Sequence, residues 1–329
     1  MESINIVRIK TLYNNRDLKE DIYQDSKEEK YPTNVGDWKV ITQLQKSLFG
    51  YVYLIVKESI YATVKRSKLD QINQYATDNV NRECRTMKYI HNPNFHPNIV
   101  YLIDEFNDEY YHNIITPYYK GGDLFNYIKV HGPISISNCK RLFKQMVSTV
   151  IYLHEIKQVA LMDISLENIC ITNSNINKAD IIFIDLGAAI IHPNNNYHEY
   201  VSHMSMENNK KSLICKNITN RPGKSNYISP ELYMFKPIDA YKNDIWSLGV
   251  CLFIMLTGSP PFEVACNDDP WYNVIIDGYW LIHSEIKKMP HLVHLFNNHF
   301  SILQLINAIF NPEDQRISLK DILDHPALV

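Results

Sequence analysis

The chain reads Leu161-Met162-Asp163-Ile164-Ser165-Leu166-Glu167-Asn168 and then, past two short apolar runs, Ile184-Asp185-Leu186-Gly187. Asp163 and Asn168 stand at i and i+5, so a tight loop can turn both to one side. Asp185 closes the apolar run 180–185 and can converge on them from the end of a strand. Two carboxylates and an amide of this kind suit a hard cation that keeps water and phosphate oxygens as its other ligands. Gly187 is expected to let the backbone turn sharply after the second aspartate. Taken alone, Asp163 and Asn168 fit an Asx-type turn equally well, so the flanking sequence has to decide.

Toward the N-terminus, residues 1–37 are charged and polar and read as an extension. Short β-branched and aromatic runs follow, WKVITQL at 38–44, YVYLIV at 51–56 and YATVKR at 61–66, with the composition of strands. A helical pattern covers 74–90, and strand patterns cover 99–106 and 112–119. After Gly121-Gly122 the apolar period becomes helical at 123–132 and 138–156, then again at 243–256, 269–278, 301–310 and 318–328. Short strand patterns at 168–172 and 180–185 interrupt it. Residues 192–224, rich in Asn, His, Ser and Lys, read as a loop. The expected class is α+β, with a small β-rich lobe carrying one helix at 38–118 and a larger, mainly helical lobe at 119–329.

Further polar signatures fall in a fixed order around the opening stretch. Lys65 stands in Ala62-Thr63-Val64-Lys65 and Glu83 in the helical pattern after it. HPNIVYLIDEF (96–106) and GGDLF (121–125) follow. Ser229-Pro230-Glu231, Asp244-Ile245-Trp246-Ser247-Leu248-Gly249 and Arg316 come after the long loop. In this order the chain, over about 38–327, resembles the eukaryotic protein kinases. The resemblance implies a bilobal kinase fold that uses ATP and magnesium. It gives Asp163 the substrate hydroxyl's proton, Asn168 and Asp185 the magnesium ions, and Lys65 the α- and β-phosphates, with Glu83 fixing Lys65 by a salt bridge. It places Gln45, Ser47, Gly50, Val52, Thr63, Lys65, Thr116, Pro117, Tyr119 and Asp123 around the nucleotide. Thr116 falls at the gatekeeper position and leaves space behind the adenine. Pro117 keeps the carbonyl that adenine's amino group needs, and Tyr119 supplies the N–H. The segment 185–231 corresponds to the activation segment.

Three departures stand out against that family. The phosphate loop reads Gln45-Lys46-Ser47-Leu48-Phe49-Gly50-Tyr51-Val52, with side chains where two glycines are usual. Leu161 and Met162 replace the histidine and arginine before the catalytic aspartate. No cation at 162 then awaits a phosphorylated loop, and the usual activation switch is expected to be absent. Ser202, Ser205, Ser212, Thr219 and Ser225 are its candidate phosphosites. Finally, Ser165 stands where Ser/Thr kinases carry a lysine, and Lys224 where they carry a threonine. Lysine and hydroxyl have exchanged places, and Lys224 is expected to reach Asp163 with Ser165 as its hydroxyl partner. The missing glycines, and Thr63-Val64-Lys65-Arg66 with its lysine in third place, are similar to the FIKK-type kinases of unicellular parasites.

Composition narrows the classes. The chain has 329 residues and only 10 glycines, against roughly 23 at average usage of about 7%. With 33 basic and 36 acidic side chains the formal charge is −3, which lacks the basic footprint of a nucleic-acid binder. No apolar run approaches the roughly 20 residues of a membrane span. The start has no signal-peptide pattern, Glu2 excludes myristoylation, and the end has no prenylation box. Six cysteines without a C-x-x-C pair read as free thiols in a reducing, cytoplasmic setting. The leading expectation is a Ser/Thr protein kinase. Glu167 favours Ser/Thr over Tyr, and Asp123 and Glu167 could attract a basic residue near the target hydroxyl of a protein substrate. A non-catalytic pseudokinase scaffold and a small-molecule phosphotransferase use the same residues and remain alternatives.

Overall fold

A computed structural model describes residues 32–72, 80–192, 212–216, 221–278 and 290–329. The first lobe is a six-stranded antiparallel sheet of order β1-β2-β3-β4-β6-β5. Its strands are β1 (Asn34–Val35), β2 (Trp38–Ser47), β3 (Gly50–Lys57), β4 (Ile60–Lys68), β5 (Asp104–Asn107) and β6 (Tyr111–Pro117). The sheet begins at Asn34, inside the segment read as an extension, because Asn34 pairs with Lys39 and Val35 with Trp38.

Alternation in the strands separates two faces. Tyr53, Val64 and Ile115 are directly paired across β3, β4 and β6. With Val35, Trp38, Ile55 and Ala62 they form a small core on one face. Side chains directly opposite on neighbouring strands share a face. The intervening rows, Val52–Lys65–Ile114 and Leu54–Thr63–Thr116, therefore face the other way, toward helix and cleft. Helices α1 (Leu69–Ile72) and α2 (Val80–Ile90) follow β4. Of the helix expected over 74–90, residues 74–79 lie outside the described residues.

The strand expected over 99–106 shrinks to β5. The reason is that Ile99 and Val100 join the second lobe instead. Val100 N–H donates to Phe183 O at 2.9 Å, and Phe183 N–H donates to Asn98 O at 2.9 Å.

The second lobe contains α3 (Leu124–His131), α4 (Ile136–Ile151), α5 (Pro230–Tyr233), α6 (Ala240–Thr257), α7 (Pro270–Ile276), α8 (Pro290–Asn298), α9 (Phe300–Ile309) and α10 (Leu319–Leu323). It also holds the short strands β7 (Val159–Ala160), β8 (Ile169–Ile171), β9 (Ile181–Phe183), β10 (Ile190–Ile191), β11 (Ile214–Cys215) and β12 (Ile238–Asp239). The second expected helix is α4 continued by a π-helical turn, Tyr152–Lys157, which Gln158 ends at φ 55°. Helix α6 is buried almost all round, as its apolar content on every face requires. It packs with α4 and α9 around Trp246, Phe143 and Phe296. Part of the expected loop is paired: Ile214 and Cys215 lie antiparallel to β12, and Leu213 is fully buried. Residues 193–211 and 217–220 lie outside the described residues, and with them Ser202, Ser205 and Thr219. All six cysteines are free thiols. No helix among the described residues is long and apolar enough to cross a membrane.

Candidate active site

The site forms where the inward rows of the sheet meet the loop after β7. Strand β4 carries Lys65 opposite Val52 of β3. Lys65 Nζ donates to Glu83 Oε2 of α2 at 2.9 Å and to Asp185 Oδ2 at 3.1 Å. One ammonium thus joins sheet, helix and the strand-end aspartate. Thr63 lies two residues before Lys65 on the same face, and its hydroxyl is 2.8 Å from that of Thr116 on β6. Val52, Thr63, Lys65 and Thr116 are therefore brought together by strand register. Pro117 lies opposite Ala62 at the end of β6. Tyr119 O accepts from Gly122 N–H at 3.1 Å, closing the turn between the lobes. Asp123 caps α3, its two oxygens accepting from Asn126 N–H at 2.8 Å and Asn126 Nδ2 at 2.7 Å.

The segment Gln45–Val52 is a tight hairpin. Ser47 pairs with Gly50 and Gln45 with Val52, with a register shift between Gln43 and Gln45. Gln45 is exposed, whereas Ser47 Oγ is buried with no hydrogen-bond partner among the described residues. Phe49 packs into the main core. Gly50 is required by a close approach: a Cβ there would stand 2.0 Å from the Arg66 carbonyl oxygen.

Asp163 and Asn168 meet as the spacing suggests. A short 3-10 turn, Leu166–Asn168, folds the amide back. Asn168 Nδ2 donates to Asp163 Oδ2 at 2.8 Å and to Asp163 O at 2.9 Å. The link runs from the Asn168 amide to Asp163, so the side chains converge without an Asx-type turn at either residue. The sharp bend after β9 falls on Asp185 itself, at φ 61°, and not on Gly187. Gly187 N–H instead donates to Asp185 Oδ1 at 3.1 Å. That geometry aims the carboxylate at Lys65.

Lys224 enters from the activation segment. Its Nζ donates to Ser165 Oγ at 2.8 Å and lies 3.4 Å from Asp163 Oδ1. Gly223 makes this possible. It sits at φ 88°, and a Cβ would stand 2.8 Å from Met162 O, so only glycine lets the segment run this close to the catalytic loop. The two aspartates differ in charge preference. Burial pushes the Asp163 carboxyl up; Lys224 pulls against it and Asp185 adds to it, and the outcome lies above the ordinary value. Burial also pushes Asp185 up, but Lys65, the Gly187 N–H and Lys224 outweigh it and hold Asp185 below the ordinary value. An anionic Asp185 and the amide oxygen of Asn168 are donors of the kind magnesium takes.

Asp244 and Tyr227 were not assigned a role from sequence. Asp244, fully buried near the start of α6, accepts from Leu161 N–H at 2.7 Å, Met162 N–H at 2.8 Å and His154 Nε2 at 2.9 Å. It holds the backbone before Asp163, and Met162 takes φ 63° there. The Asp-x-Trp-Ser signature was the signal, since an aspartate leading directly into the apolar run of a buried helix has to serve a buried donor. Tyr227 hydroxyl lies against Leu166 N–H at 3.4 Å. Glu167 Oε2 beside it is buried without a hydrogen-bond partner among the described residues. Arg316, which the kinase resemblance pairs with the glutamate of Ser229-Pro230-Glu231, donates to both oxygens of Glu231, at 3.1 and 3.2 Å.

The sequence pattern of the protein kinase domain matches residues 38–328 of this chain. The chain is 28% identical over 301 residues to serine/threonine-protein kinase PLK4 of Nematostella vectensis, covering 89% of this chain and 26% of that protein. It is 27% identical over 308 residues to an Aurora kinase of Saccharomyces cerevisiae, covering 93% and 73%. It is 28% identical over 320 residues to serine/threonine-protein kinase cds1 of Schizosaccharomyces pombe, covering 92% and 61%. The chain thus spans only part of the length of these relatives, about a quarter in the first case.

Proposed function

Because the chain belongs to the protein kinase family, we propose that it transfers the γ-phosphoryl group of ATP to serine or threonine hydroxyls of protein substrates, with Lys224 supplying the cation that the catalytic loop lacks. The observation that carries this reading is Lys224 Nζ lying on both Ser165 Oγ and Asp163 Oδ1 while the Lys65–Glu83 pair is formed. Asp163 orients the substrate hydroxyl and takes its proton as the oxygen bonds to phosphorus and the bond to the β-phosphate oxygen breaks, releasing ADP. Asn168 and Asp185 are the residues that would hold magnesium, whose chemistry is to neutralise charge on the phosphate oxygens. Lys65 grips the α- and β-phosphates, held in place by Glu83. Lys224 faces the site where charge develops on the transferred group. Such fixed charges are the main source of catalysis in phosphoryl transfer.

Glu167, only half-buried as a residue, supports a basic residue near the target hydroxyl through its charge, although one of its oxygens is buried beside Tyr227. Asp123 is engaged by Asn126 and supports that role less. The Arg316–Glu231 pair belongs to the side of the fold that meets protein substrates, which favours them over small molecules. The replacement of the arginine by Met162, whose side chain is buried, supports a kinase that needs no activation-loop phosphate at that position. Free thiols support a cytoplasmic location. The closer likeness to FIKK-type kinases rests on the phosphate loop and on Thr63-Val64-Lys65-Arg66 alone.

The test is magnesium-ATP turnover on a mixture of basic peptides bearing serine or threonine, wild type beside Asp163→Asn. Turnover in the wild type that falls at least about 1000-fold in the variant is expected. Nucleotide binding without turnover in either protein would replace this reading with a non-catalytic scaffold.

A further inference from the structure

Outside the cleft, three side chains with metal-binding atoms converge where α2 meets the β5–β6 hairpin. Cys84 follows Glu83 on α2, Glu105 lies on β5 and His112 on β6. Their ligand atoms all lie within 4.8 Å of one another. Cys84 Sγ is 3.9 Å from His112 Nε2, and His112 Nε2 is 3.5 Å from Glu105 Oε1. Cys84 and His112 are buried and Glu105 is partly exposed. We propose that Cys84, Glu105 and His112 bind a single zinc ion that ties α2 to the β5–β6 hairpin.

The surrounding hydrogen bonds already orient the three donors. His112 Nδ1 lies 2.6 Å from Asn107 Oδ1. A carbonyl oxygen only accepts, so Nδ1 carries the proton and the Nε2 lone pair faces Cys84 and Glu105. Fixing the tautomer through the far nitrogen is how a metal-binding histidine is held. Lys88 Nζ takes Glu105 Oε2 at 2.6 Å, which leaves Oε1 turned toward the histidine. A carboxylate oxygen and an imidazole lone pair then face each other beside a sulfur. A thiol proton can serve one of them; a cation serves all three.

The spacing also fits. Tetrahedral zinc, with Zn–S about 2.3 Å and Zn–N and Zn–O about 2.0 Å, holds its sulfur and nitrogen about 3.6 Å apart and its nitrogen and oxygen about 3.3 Å apart. The observed separations exceed these by a few tenths of an ångström, within the reach of side-chain adjustment. A sulfur, nitrogen and oxygen set selects zinc over magnesium or calcium. Three protein donors leave the fourth position to water. A cavity of ≈ 400 Å³ lined by Met87, Lys88, His91 and Glu105 among others borders the partly exposed Glu105 side of the cluster. Burial and the nearby carboxylates of Glu105 and Glu83 keep the Cys84 thiol protonated without metal. On binding, the S–Zn bond forms as that proton leaves to solvent, with no change in oxidation state. Because Cys84 adjoins Glu83, the ion would hold α2 at the position from which Glu83 reaches Lys65. The site does not depend on catalysis, and an inactive scaffold would bind zinc equally.

The experiment titrates the full chain, with thiols reduced, with cobalt(II) alone and then with zinc. The expected result is one equivalent of tetrahedral cobalt with a thiolate-to-cobalt charge-transfer band, displaced by zinc. Cys84→Ser should abolish that band, and His112→Gln and Glu105→Gln should each weaken cobalt at least tenfold. Asp163→Asn should bind as wild type does. Zinc should raise the melting temperature of the wild type and leave that of His112→Gln unchanged. Circular dichroism establishes that each variant is folded; if Cys84→Ser is not, the other two variants decide. Absence of the band in the wild type, or wild-type cobalt affinity in folded His112→Gln and Glu105→Gln, overturns the proposal.

Discussion

One lysine and one hydroxyl trade places between two chain segments in this catalytic site. Under the proposed function a positive charge beside Asp163 serves the point where the hydroxyl would lose its proton and charge would build on phosphate; which segment supplies it is immaterial if the ammonium arrives at the same point. Lys224 arrives there because Gly223 brings the segment against Met162 O, and Ser165 accepts its hydrogen bond at 2.8 Å. Removing one preorganised group of this kind costs about 10²–10³ in kcat. Lys224→Ala should therefore lower kcat by that factor with a much smaller change in the KM for ATP, because Lys65 still holds the nucleotide. The stronger check is reciprocal. Lys224→Thr alone should be as impaired as Lys224→Ala, and Ser165→Lys combined with Lys224→Thr should recover at least tenfold of the loss. A double variant no better than the single one would show that Lys224 acts elsewhere.

At the scale of elements, two hairpins carry opposite lessons. The β2–β3 hairpin runs close to β4, and a Cβ on Gly50 would meet backbone of Arg66, which cannot swing aside. Gly50→Ala should destabilise the fold by about 1–3 kcal/mol and raise the KM for ATP by displacing Val52, the cross-strand partner of Lys65. Urea unfolding and ATP titration would measure the two effects separately. This part was legible, since the sequence placed Gly50 at the last glycine of a phosphate loop. The β5–β6 turn was not. Its Asp108 accepts from Tyr110 and Tyr111 N–H at 3.0 and 2.8 Å and binds Arg66 and Asn113, and pattern alone does not say that a loop aspartate gathers four donors. Burial pushes Asp108 up, but these partners outweigh it and hold its carboxyl below the ordinary 3.8. A carboxyl lowered by folding contributes stability that is complete above its unfolded value and fades as the pH falls through the folded one. The melting-temperature gap between wild type and Asp108→Asn should therefore be constant from neutrality to about pH 5 and close below pH 4. A gap that persists unchanged in acid would mean that packing, and not the charge, carries it.

Across the whole molecule, buried polar groups tie distant segments to one helix. Helix α6 receives the catalytic loop through Asp244 and the activation segment through Ser247 Oγ, which donates to Tyr227 O at 2.8 Å. The order of signatures made this layout legible from sequence, although singly Glu83 and Arg316 sit among polar neighbours and read as surface charge. Backbone pairing was less so: Ile214 and Cys215 pair with β12 from within a polar stretch, and Ile99 and Val100 leave the first sheet for Phe183. Two residues of strand carry no periodicity, and an apolar run fits either partner. A further tie of this kind is Arg316. Its side chain is fully buried; it donates to Glu231 twice, to Lys242 O at 3.0 Å and to Asn311 O at 3.2 Å, and its guanidinium lies 5.0 Å from the Trp246 ring. Truncating one member of a buried pair strands the other, at a cost of about 3–5 kcal/mol. Arg316→Met should accordingly lower the unfolding free energy, measured by urea denaturation, by that much. Glu231→Gln added to Arg316→Met should restore part of the loss, because the carboxylate left without its cation is removed. Independent, additive losses in the double variant would mean that Arg316 stabilises the fold through Trp246 and the two carbonyls, and that its pairing with the activation segment contributes nothing measurable.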